Sequence, residues 1–511
     1  MERVVGEGQK LKIANLKLQN VIRLGLLLAP WVAVFLLLRP LSSVIHGQVV
    51  DDRGPVTGAR VGFKGFPLDV WTGADGRFQL TDRPDRSTIV ATKDGYFIAG
   101  GPKTIPVLTL HRLPAEDNDD YAWVDPSAGP GTHQCANCHG EIFREWSASG
   151  HARSATNRRF LNLFDGSDWQ GKKDVGWSLM RDHPDGTGVC AACHAPTVPL
   201  SDPAAFDLRQ VKGVAAHGVH CDFCHKVSDG GLGKVGLTHG RFGMKLLRPS
   251  EGQLFFGPLP DVDRGEDVFA PLYRDSRYCA SCHEGRVFGV PVYTTYSEWL
   301  ASPAKARGQQ CQDCHMIPTG KMTNIAPDKG GIERDSATLA SHRMFAGSQE
   351  EMLRNCLKLD VKVSREPGGV RVEVEVKTEG VGHRVPTGFV DRNLVLVVHG
   401  MAGEVPAALV EGPTLPPLAG KELAGKAGKL FAKVLKDFDG HSPAPFWKAQ
   451  PEPVDTRMEP ERPDRSVYRF APEADQVRVR LIHRKFWPEV TASKGWPAEE
   501  MVVEVVRQVR E

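Results

Sequence analysis

Five copies of the motif Cys-x-x-Cys-His constrain this 511-residue chain more than any other feature, and they use ten of its eleven cysteines. Zinc knuckles and disulfides also use paired cysteines, but neither requires a histidine directly after the second one. Two thiols at this spacing can form thioethers to one haem, and the adjacent histidine then ligates the iron. The motifs are Cys135–His139, Cys190–His194, Cys221–His225, Cys279–His283 and Cys311–His315.

The motifs therefore predict five covalently bound c-type haems. Between the first motif and the last there are about 36 residues of chain per motif, too few to give each haem its own core. The haems must lie against one another, which connects them electronically. The predicted attachment residues are Cys135, Cys138, Cys190, Cys193, Cys221, Cys224, Cys279, Cys282, Cys311 and Cys314, and the predicted proximal iron ligands are His139, His194, His225, His283 and His315.

The amino-terminal segment predicts a membrane anchor. A run of apolar residues, Leu24–Leu38, follows several basic residues and is closed by Arg39. Counted from Val21 to Leu41 as a helix, it spans about 31 Å, enough for a bilayer core. By the positive-inside rule the basic flank stays in the cytoplasm and the rest of the chain enters the periplasm. The alternative is a cleaved signal peptide, although no clear cleavage site follows the run.

The remaining chain divides into three regions by its pattern. Residues 45–112 show short alternating strands separated by turns, which predicts a small β-sandwich. Residues 113–358 carry the motifs and predict a mainly helical or irregular domain packed around haem. Residues 359–511 return to period-two alternation, which predicts a second β-sandwich, with a long loop and one short helix near Lys421–Leu435. With residues 1–44 as tail and anchor, we expect a multidomain protein.

An internal repeat occurs within the haem region. Glu145-Trp146-Ser147-Ala148-Ser149-Gly150-His151 recurs as Glu298-Trp299-Leu300-Ala301-Ser302-Pro303-Ala304, with alanine in place of the histidine. We interpret the alanine as a lost iron ligand, which Met244 or Met344 could replace. The similar spacings of Cys190 to Cys221 and of Cys279 to Cys311 suggest a duplicated dihaem unit.

Each iron needs a second axial ligand or a vacancy, and distal histidine keeps haem potentials low and blocks substrate. His151 is the strongest candidate, because a glycine before it allows close approach. His342 and His383 lie in short glycine- or proline-containing segments, and only one of His217 and His220 is expected to reach an iron. The predicted distal candidates are His151, His217, His220, His239, His342 and His383.

Two family resemblances follow from these residues. The pattern from Gly47 through Val61 to Phe78 resembles carboxypeptidase regulatory-like domains, which implies a seven-stranded sandwich without catalysis. Residues 130–390 resemble the multihaem cytochromes c related to the tetrahaem electron acceptor of hydroxylamine oxidation. That resemblance rests on the first motif with Glu145-Trp146, on Gly218–His225, on Cys311–Met316, and on Ser341–Gly347 and Gly382–Gly388. It implies mostly bis-histidine haems in stacked pairs and periplasmic electron transfer.

Together these features predict a membrane-anchored periplasmic pentahaem cytochrome that relays electrons. Its expected partners are a quinol-oxidising donor in the inner membrane and a soluble or outer-membrane acceptor. A formal charge of +2 gives no reason to expect nucleic acid. The alternatives are an oxidoreductase acting on a small nitrogen or sulfur compound at one open haem, and an extracellular haem-chain subunit. No Cys-x-x-Cys-Lys site is present to indicate a dedicated nitrite-reductase haem.

Overall fold

The computed structural model describes residues 43–130, 134–199, 206–345 and 350–509. The predicted anchor Val21–Leu41 and its basic flank lie outside these residues. Within the described ranges, no helix is long and apolar enough to cross a membrane.

The first region consists of two four-stranded β-sheets packed face to face. Val49 and Phe78 from one sheet and Val61 from the other are buried in their shared core. The predicted β-rich region is therefore confirmed, with eight described strands where the resemblance implied seven. The strands are Val44–Asp51, Gly54–Pro55, Arg60–Phe63, Val70–Trp71, Arg77–Thr81, Thr88–Thr92, Ala99–Pro102 and Val107–Thr109.

The region with the five motifs is made of short helices and small two-stranded sheets, and each motif contributes to a helical turn. The α-helices are Gly140–Ser147, Arg158–Asp165, Leu179–Asp182, Cys190–His194, Cys221–Cys224, Arg277–His283, Thr295–Leu300, Pro303–Ala306, Cys311–His315 and Glu350–Cys356. The 3-10 helices are Cys135–Asn137, His151–Arg153, Leu208–Gln210, Gly213–His217, Gly240–Gly243, Pro271–Arg274 and Ser336–Thr338. The strands are Val227–Gly230, Met244–Leu246, Phe255–Gly257, Asp267–Phe269, Glu284–Val287 and Val290–Thr294.

The last region is a second pair of sheets, of four and six strands. Val370, Val372, Val374 and Val376 alternate with more exposed residues and face a common core, as period-two patterning predicts. The strands are Leu357–Glu366, Gly369–Thr378, Asn393–Ala402, Val405–Pro406, Leu409–Glu411, Gly428–Val434, Val454–Asp455, Asp464–Phe470, Gln476–Arg484 and Glu500–Gln508, and the helices are Pro417–Ala419, Phe446–Lys448 and Pro488–Ser493.

The helix predicted near Lys421–Leu435 is wrong. Turns lead there into the strand Gly428–Val434, which pairs with Asn393–Ala402. Gly425 has a left-handed φ of 78°, a conformation that interrupts a right-handed helix.

The last region packs closely on the haem region. Phe164 and Leu179 share a buried apolar cluster with Trp447 and Trp487. Lys494, which is fully buried, extends its ammonium group into a loop of the haem region and donates to four backbone carbonyls. These belong to Asn162 at 3.0 Å, Ser167 at 3.1 Å, Val175 at 2.5 Å and Trp177 at 2.7 Å. The terminal sandwich therefore forms one wall of the haem region.

Candidate haem-binding site

The motif cysteines have the chemistry that haem attachment needs. All eleven cysteines of the chain carry free thiols, so the disulfide alternative is not realised. Across the described ranges, no group of three or more cysteine and histidine ligands lies close enough together to hold one zinc ion. The eleventh cysteine, Cys356, is half-buried, and burial raises the pKa of its thiol.

Four of the five motif histidines direct Nδ1 at a backbone carbonyl. The Nδ1 of His139 lies 2.7 Å from the carbonyl oxygen of Ile325, that of His194 3.0 Å from Ser154, and that of His225 2.6 Å from Phe256. His315 makes the same contact with Phe345. Because a carbonyl only accepts, Nδ1 must carry the proton, which leaves the lone pair on Nε2 for a metal. Burial lowers the pKa of these four imidazoles, which favours the neutral form that a metal binds.

Contacts at the fourth motif show which motifs are its neighbours. The backbone N–H of Cys311, in the fifth motif, donates at 2.9 Å to the hydroxyl of Ser276, which immediately precedes the helix of the fourth motif. Tyr278 of that helix donates to the carbonyl of Cys224, in the third motif, at 3.0 Å. The fourth motif therefore lies next to the third and the fifth.

The second and first motifs are linked through short segments. Ser281 of the fourth motif donates to the carbonyl of Gly243 at 2.9 Å, and a Cβ on nearby Gly240 would lie 2.2 Å from the carbonyl oxygen of Ala192 in the second motif. Trp146, on the helix after the first motif, contacts Val219 just before the third. Each of the five motifs is therefore linked to at least one other.

The repeated Glu-Trp string has a defined structural role. The indole nitrogen of Trp146 donates to the carbonyl oxygen of Val219 at 2.9 Å, and the backbone nitrogen of Val219 donates to the carbonyl of His151 at 3.1 Å. Val219 lies two residues before Cys221 of the third motif. The string therefore fixes the backbone that leads into the third motif.

The second string makes the same contacts residue for residue. Trp299 donates to the carbonyl of Gln309 at 2.9 Å, and Gln309 donates to the carbonyl of Ala304 at 3.0 Å. Gln309 lies two residues before Cys311 of the fifth motif. The structural repeat thus pairs the first and third motifs in one unit and the fourth and fifth in another. The duplicated dihaem unit suggested by the spacings of Cys190 to Cys221 and of Cys279 to Cys311 stays a prediction.

The glutamate of each string holds a distant segment that carries a candidate distal histidine. A carboxylate oxygen of Glu145, which is buried, accepts the backbone N–H of His342 at 2.7 Å. A carboxylate oxygen of Glu298 accepts the backbone N–H of Arg384, the residue after His383, at 3.2 Å. Each glutamate therefore holds a segment with a candidate histidine, through the histidine's own N–H in the first unit and through that of the following residue in the second.

Two candidate distal histidines each lie beside a motif histidine, with the same distance between the ring centroids. The ring centroids of His151 and His283 are 6.1 Å apart, and those of His383 and His315 are also 6.1 Å apart. Two imidazoles that bind one metal through Nε2 at about 2.0 Å have their centroids about 6.3 Å apart. Each pair thus has about the separation that two Nε2 ligands of one metal require.

His342 has two motif histidines in its surroundings. Burial lowers the pKa of its imidazole to about 4, with smaller contributions from His225 and His139. In the comparison of the two units, its segment corresponds to that of His383, and the third motif corresponds to the fifth.

The space beside Ala304, where we expected a lost iron ligand, is filled by the segment that carries His383. A Cβ on Gly382 would lie 3.0 Å from the Ala304 Cβ and 3.3 Å from Trp299 Cδ1, so the segment bearing His383 packs directly here. Met244 instead packs in the apolar cluster around Phe223. The equivalent residue of the first string, His151, lies beside His283 of the fourth motif.

The other three predicted distal histidines are placed differently. His217 is partly exposed, and its Nε2 lies 3.6 Å from the carboxylate of Asp125. His220 is fully buried, with Nδ1 accepting from the Phe223 backbone N–H and Nε2 facing the Thr197 hydroxyl, each at 3.4 Å. Both nitrogens of His220 thus have protein partners.

His239 lies beside Gly285. A Cβ on that glycine would be 3.3 Å from the Nδ1 of His239. The next residue, Gly240, is pressed against the backbone of the second motif, since a Cβ there would lie 2.2 Å from the Ala192 carbonyl oxygen. His239 is therefore the candidate nearest the second motif.

Aromatic contacts to the motif histidines were missed by sequence reasoning. The ring of Phe160 stacks on His194 at 3.8 Å with an interplanar angle of 4°. The ring of Tyr273 lies nearly parallel to His225 at 5.6 Å, and its hydroxyl donates to the carbonyl of Cys224 at 2.5 Å. No local pattern marks either residue, because both contacts join segments that are remote in sequence.

Comparisons with known proteins agree with this geometry. Residues 134–226 match the family model of cytochrome c554 and c-prime. The fold is similar to a penta-heme cytochrome c552 from Thermochromatium tepidum, with a TM-score of 0.52 and 23% identity over 73% of this chain and 97% of that chain.

A conjugate transposon protein from Bacteroides vulgatus covers 30% of this chain and 84% of its own at 11% identity, but its TM-score of 0.13 carries no argument. No curated protein matches the chain. The five motifs and the family model over residues 134–226 both indicate a multihaem c-type cytochrome.

Proposed function

We propose that this protein binds five c-type haems and transfers electrons through them as neighbours in one cluster. The observation that carries the proposal is the set of hydrogen bonds and close contacts that links each motif to at least one other. Haems attached at neighbouring motifs are close enough to exchange electrons. The pentahaem cytochrome with a similar fold supports the count of five.

We further propose that three of the haems have two histidine ligands. The 6.1 Å separations support His151 with His283 and His383 with His315. The equivalence of the two units supports His342 with His225. When bound, each haem supplies a one-electron iron centre, while the protein fixes both imidazoles and keeps them neutral by burial.

The alternative function is catalysis on a small nitrogen or sulfur compound at an open haem. It is favoured by the first and second motifs, because no ring contact within the described ranges pairs His139 or His194 with another histidine. His217, His220, His239 and a methionine remain candidates for those positions. Relay through bis-histidine haems is our first proposal.

We also propose that the protein acts at the periplasmic face of the inner membrane, held by residues 21–41. Its donor would be a quinol-oxidising membrane protein, and its acceptor a soluble or outer-membrane redox protein. The sequence arguments for export support this placement: haem attachment motifs together with a basic flank before an apolar run.

Haem counting combined with electron paramagnetic resonance tests the proposal. The pyridine haemochrome assay should give five haems per chain, and three or fewer would contradict it. The oxidised protein should be mainly low-spin and should not respond to nitrite or hydroxylamine at those haems that have two histidines. A full-occupancy high-spin signal that shifts with either compound would favour the enzyme instead.

A further inference from the structure

The imidazole of His383 is held in one orientation by the backbone that follows it. Its Nδ1 donates to the carbonyl oxygen of Arg384 at 2.9 Å. The N–H of the same peptide group belongs to Val385 and donates to the carbonyl of Met458 at 3.0 Å, and Met458 donates back to Val385 at 2.9 Å. Because a peptide group is planar, fixing its N–H also fixes its carbonyl. The segment around Met458 therefore determines the plane of the His383 ring.

Arg457, the residue before this contact, ties the segment to the haem region. Its guanidinium lies 2.7 Å from a carboxylate oxygen of Glu298 and 2.7 Å from one of Asp455. It also donates to the carbonyl of Pro386 at 3.3 Å. Glu298 in turn accepts the backbone N–H of the residue after His383 at 3.2 Å. Arg457 thus supports the His383 segment directly through Pro386 and indirectly through Glu298.

The pair of Arg457 and Glu298 is buried, with 5% and 8% of the two side chains exposed. Desolvation offsets much of the attraction between two buried charges, so such a pair adds little stability over apolar residues of similar volume. What it supplies here is geometry, because the planar guanidinium donates in fixed directions. Through Pro386 and Glu298, those directions hold the residues on both sides of Val385.

The two histidine pairs differ in the angle between their rings. The ring planes of His383 and His315 are 13° apart, whereas those of His151 and His283 are 74° apart. Each axial imidazole interacts, through the π electrons of its ring, with one of two iron d orbitals, and so sets the electronic state of the iron. Parallel rings act on the same orbital and separate the two in energy, while perpendicular rings act on both alike. The low-spin signal is therefore rhombic for parallel rings and highly anisotropic for perpendicular ones.

We propose that Arg457 is a positioning residue for the fifth haem, which holds the ring of His383 nearly parallel to that of His315. This inference rests on the proposed ligation of that haem by both histidines. Partners of a ligand histidine fix the orientation of its ring. Without the guanidinium, the peptide group after His383 loses support on both sides, and the ring is free to turn about its bond to the iron. Within the described ranges no contact joins Arg457 to His151 or His283, so that pair should keep its angle.

Electron paramagnetic resonance of the oxidised, haem-loaded full-length protein tests the inference. The rhombic signal of the fifth haem is identified in the wild type by its loss in H383A. In R457Q the largest g value of this signal alone should shift upward, toward the anisotropic type. R457K, which keeps the charge but not the planar fork, should shift it less. The control R462Q removes an exposed arginine of the same segment, paired with Glu459, and should leave every signal unchanged.

The rate of cyanide binding gives a second readout. Cyanide reaches the iron of the fifth haem only when His383 dissociates, so a loosened segment should speed its binding. At that one haem, R457Q should bind cyanide faster by on the order of tenfold, the factor expected for one lost hydrogen bond to a charged group. R457K should bind it at an intermediate rate.

A double variant guards against misfolding. R457Q alone leaves the carboxylate of Glu298 buried without its cation, which is destabilising. R457Q/E298Q carries no unpaired charge at this pair, and the amide oxygen of glutamine still accepts the N–H of Arg384, so the same shift in g value is expected. The pyridine haemochrome assay shows whether each variant keeps five haems, and R457K decides the outcome if neither glutamine variant does.

The outcomes are distinguishable from failure of the proposed function. Unchanged signals and cyanide rates in variants that keep five haems would overturn this inference alone. A joint shift of several low-spin signals would also overturn it, by showing that Arg457 supports the whole haem region. A wild-type haem count of three or fewer, or a wild type without a rhombic signal that H383A removes, would instead contradict the proposed haem count or ligation, and this inference with it.

Discussion

Replacing His383 by alanine tests the ligand arrangement most directly. The imidazole of His383 faces His315 at 6.1 Å between ring centroids, and its segment is held by Glu298. Removing the ring would leave about 5.6 Å between the alanine Cβ and the iron, room for one water molecule. One haem should therefore change from two histidine ligands to one.

The number of haems determines what fraction of the iron should become high-spin in H383A. Only the haem of the fifth motif should become high-spin, so the new signal should integrate to about one fifth of the total iron. Its potential should rise, because distal histidine keeps haem potentials low. Added imidazole should enter the vacated space and restore the low-spin signal.

Electron paramagnetic resonance with spin integration measures this change, and pyridine haemochrome controls for haem loss. H399A is the matched control, because His399 lies on the strand Asn393–Ala402 of the terminal sandwich. An H383A protein that keeps five haems and stays wholly low-spin would refute the pairing of His383 with His315. High-spin iron at two or more haems would show that His383 stabilises the cluster rather than one iron.

Three further predictions concern stability and location. K494M should lower the free energy of unfolding by about 2–4 kcal/mol, because four buried carbonyls lose their donor. Denaturant titration measures this change. The control K436M, at an exposed site, should have little effect. D391N should stabilise the protein more at pH 8 than at pH 4. The Asp391 carboxyl has a pKa of about 8 in the native protein and 3.8 in the unfolded chain. The wild type therefore loses stability as the pH rises from about 4 to 8, whereas D391N does not titrate there. Equal effects of D391N at both pH values would contradict this. Finally, the protein should remain in carbonate-washed membranes, and release of a soluble form beginning near residue 44 would show cleavage.

Features that depend on a local residue pattern could be predicted from the sequence. The motif chemistry is contained in five consecutive residues, so haem attachment could be inferred from the order of residues alone. The valine alternation in Gly369–Thr378 correctly placed a sheet. The same reasoning failed near Lys421–Leu435, where glycine conformations rather than side-chain periodicity determine the path.

Long-range pairing could not be predicted. Which motif a distal histidine faces depends on segments more than a hundred residues apart, as with His151 and His283. Ala304 suggested a lost ligand, yet the contacts of the two strings place it at the end of a repeat. The glutamates were visible in the repeated string, but their role in holding His342 and His383 required the fold.

The position of His383 has a consequence for biogenesis. This histidine belongs to the loop between the strands Gly369–Thr378 and Asn393–Ala402, within the terminal sandwich. A chain that emerges amino-terminus first presents every attachment motif before this residue appears. The fifth haem would then be joined to the polypeptide while its outer face is still uncovered, and completion of the sandwich would close it. The sandwich that follows the motifs in the chain would thus complete the surroundings of this haem.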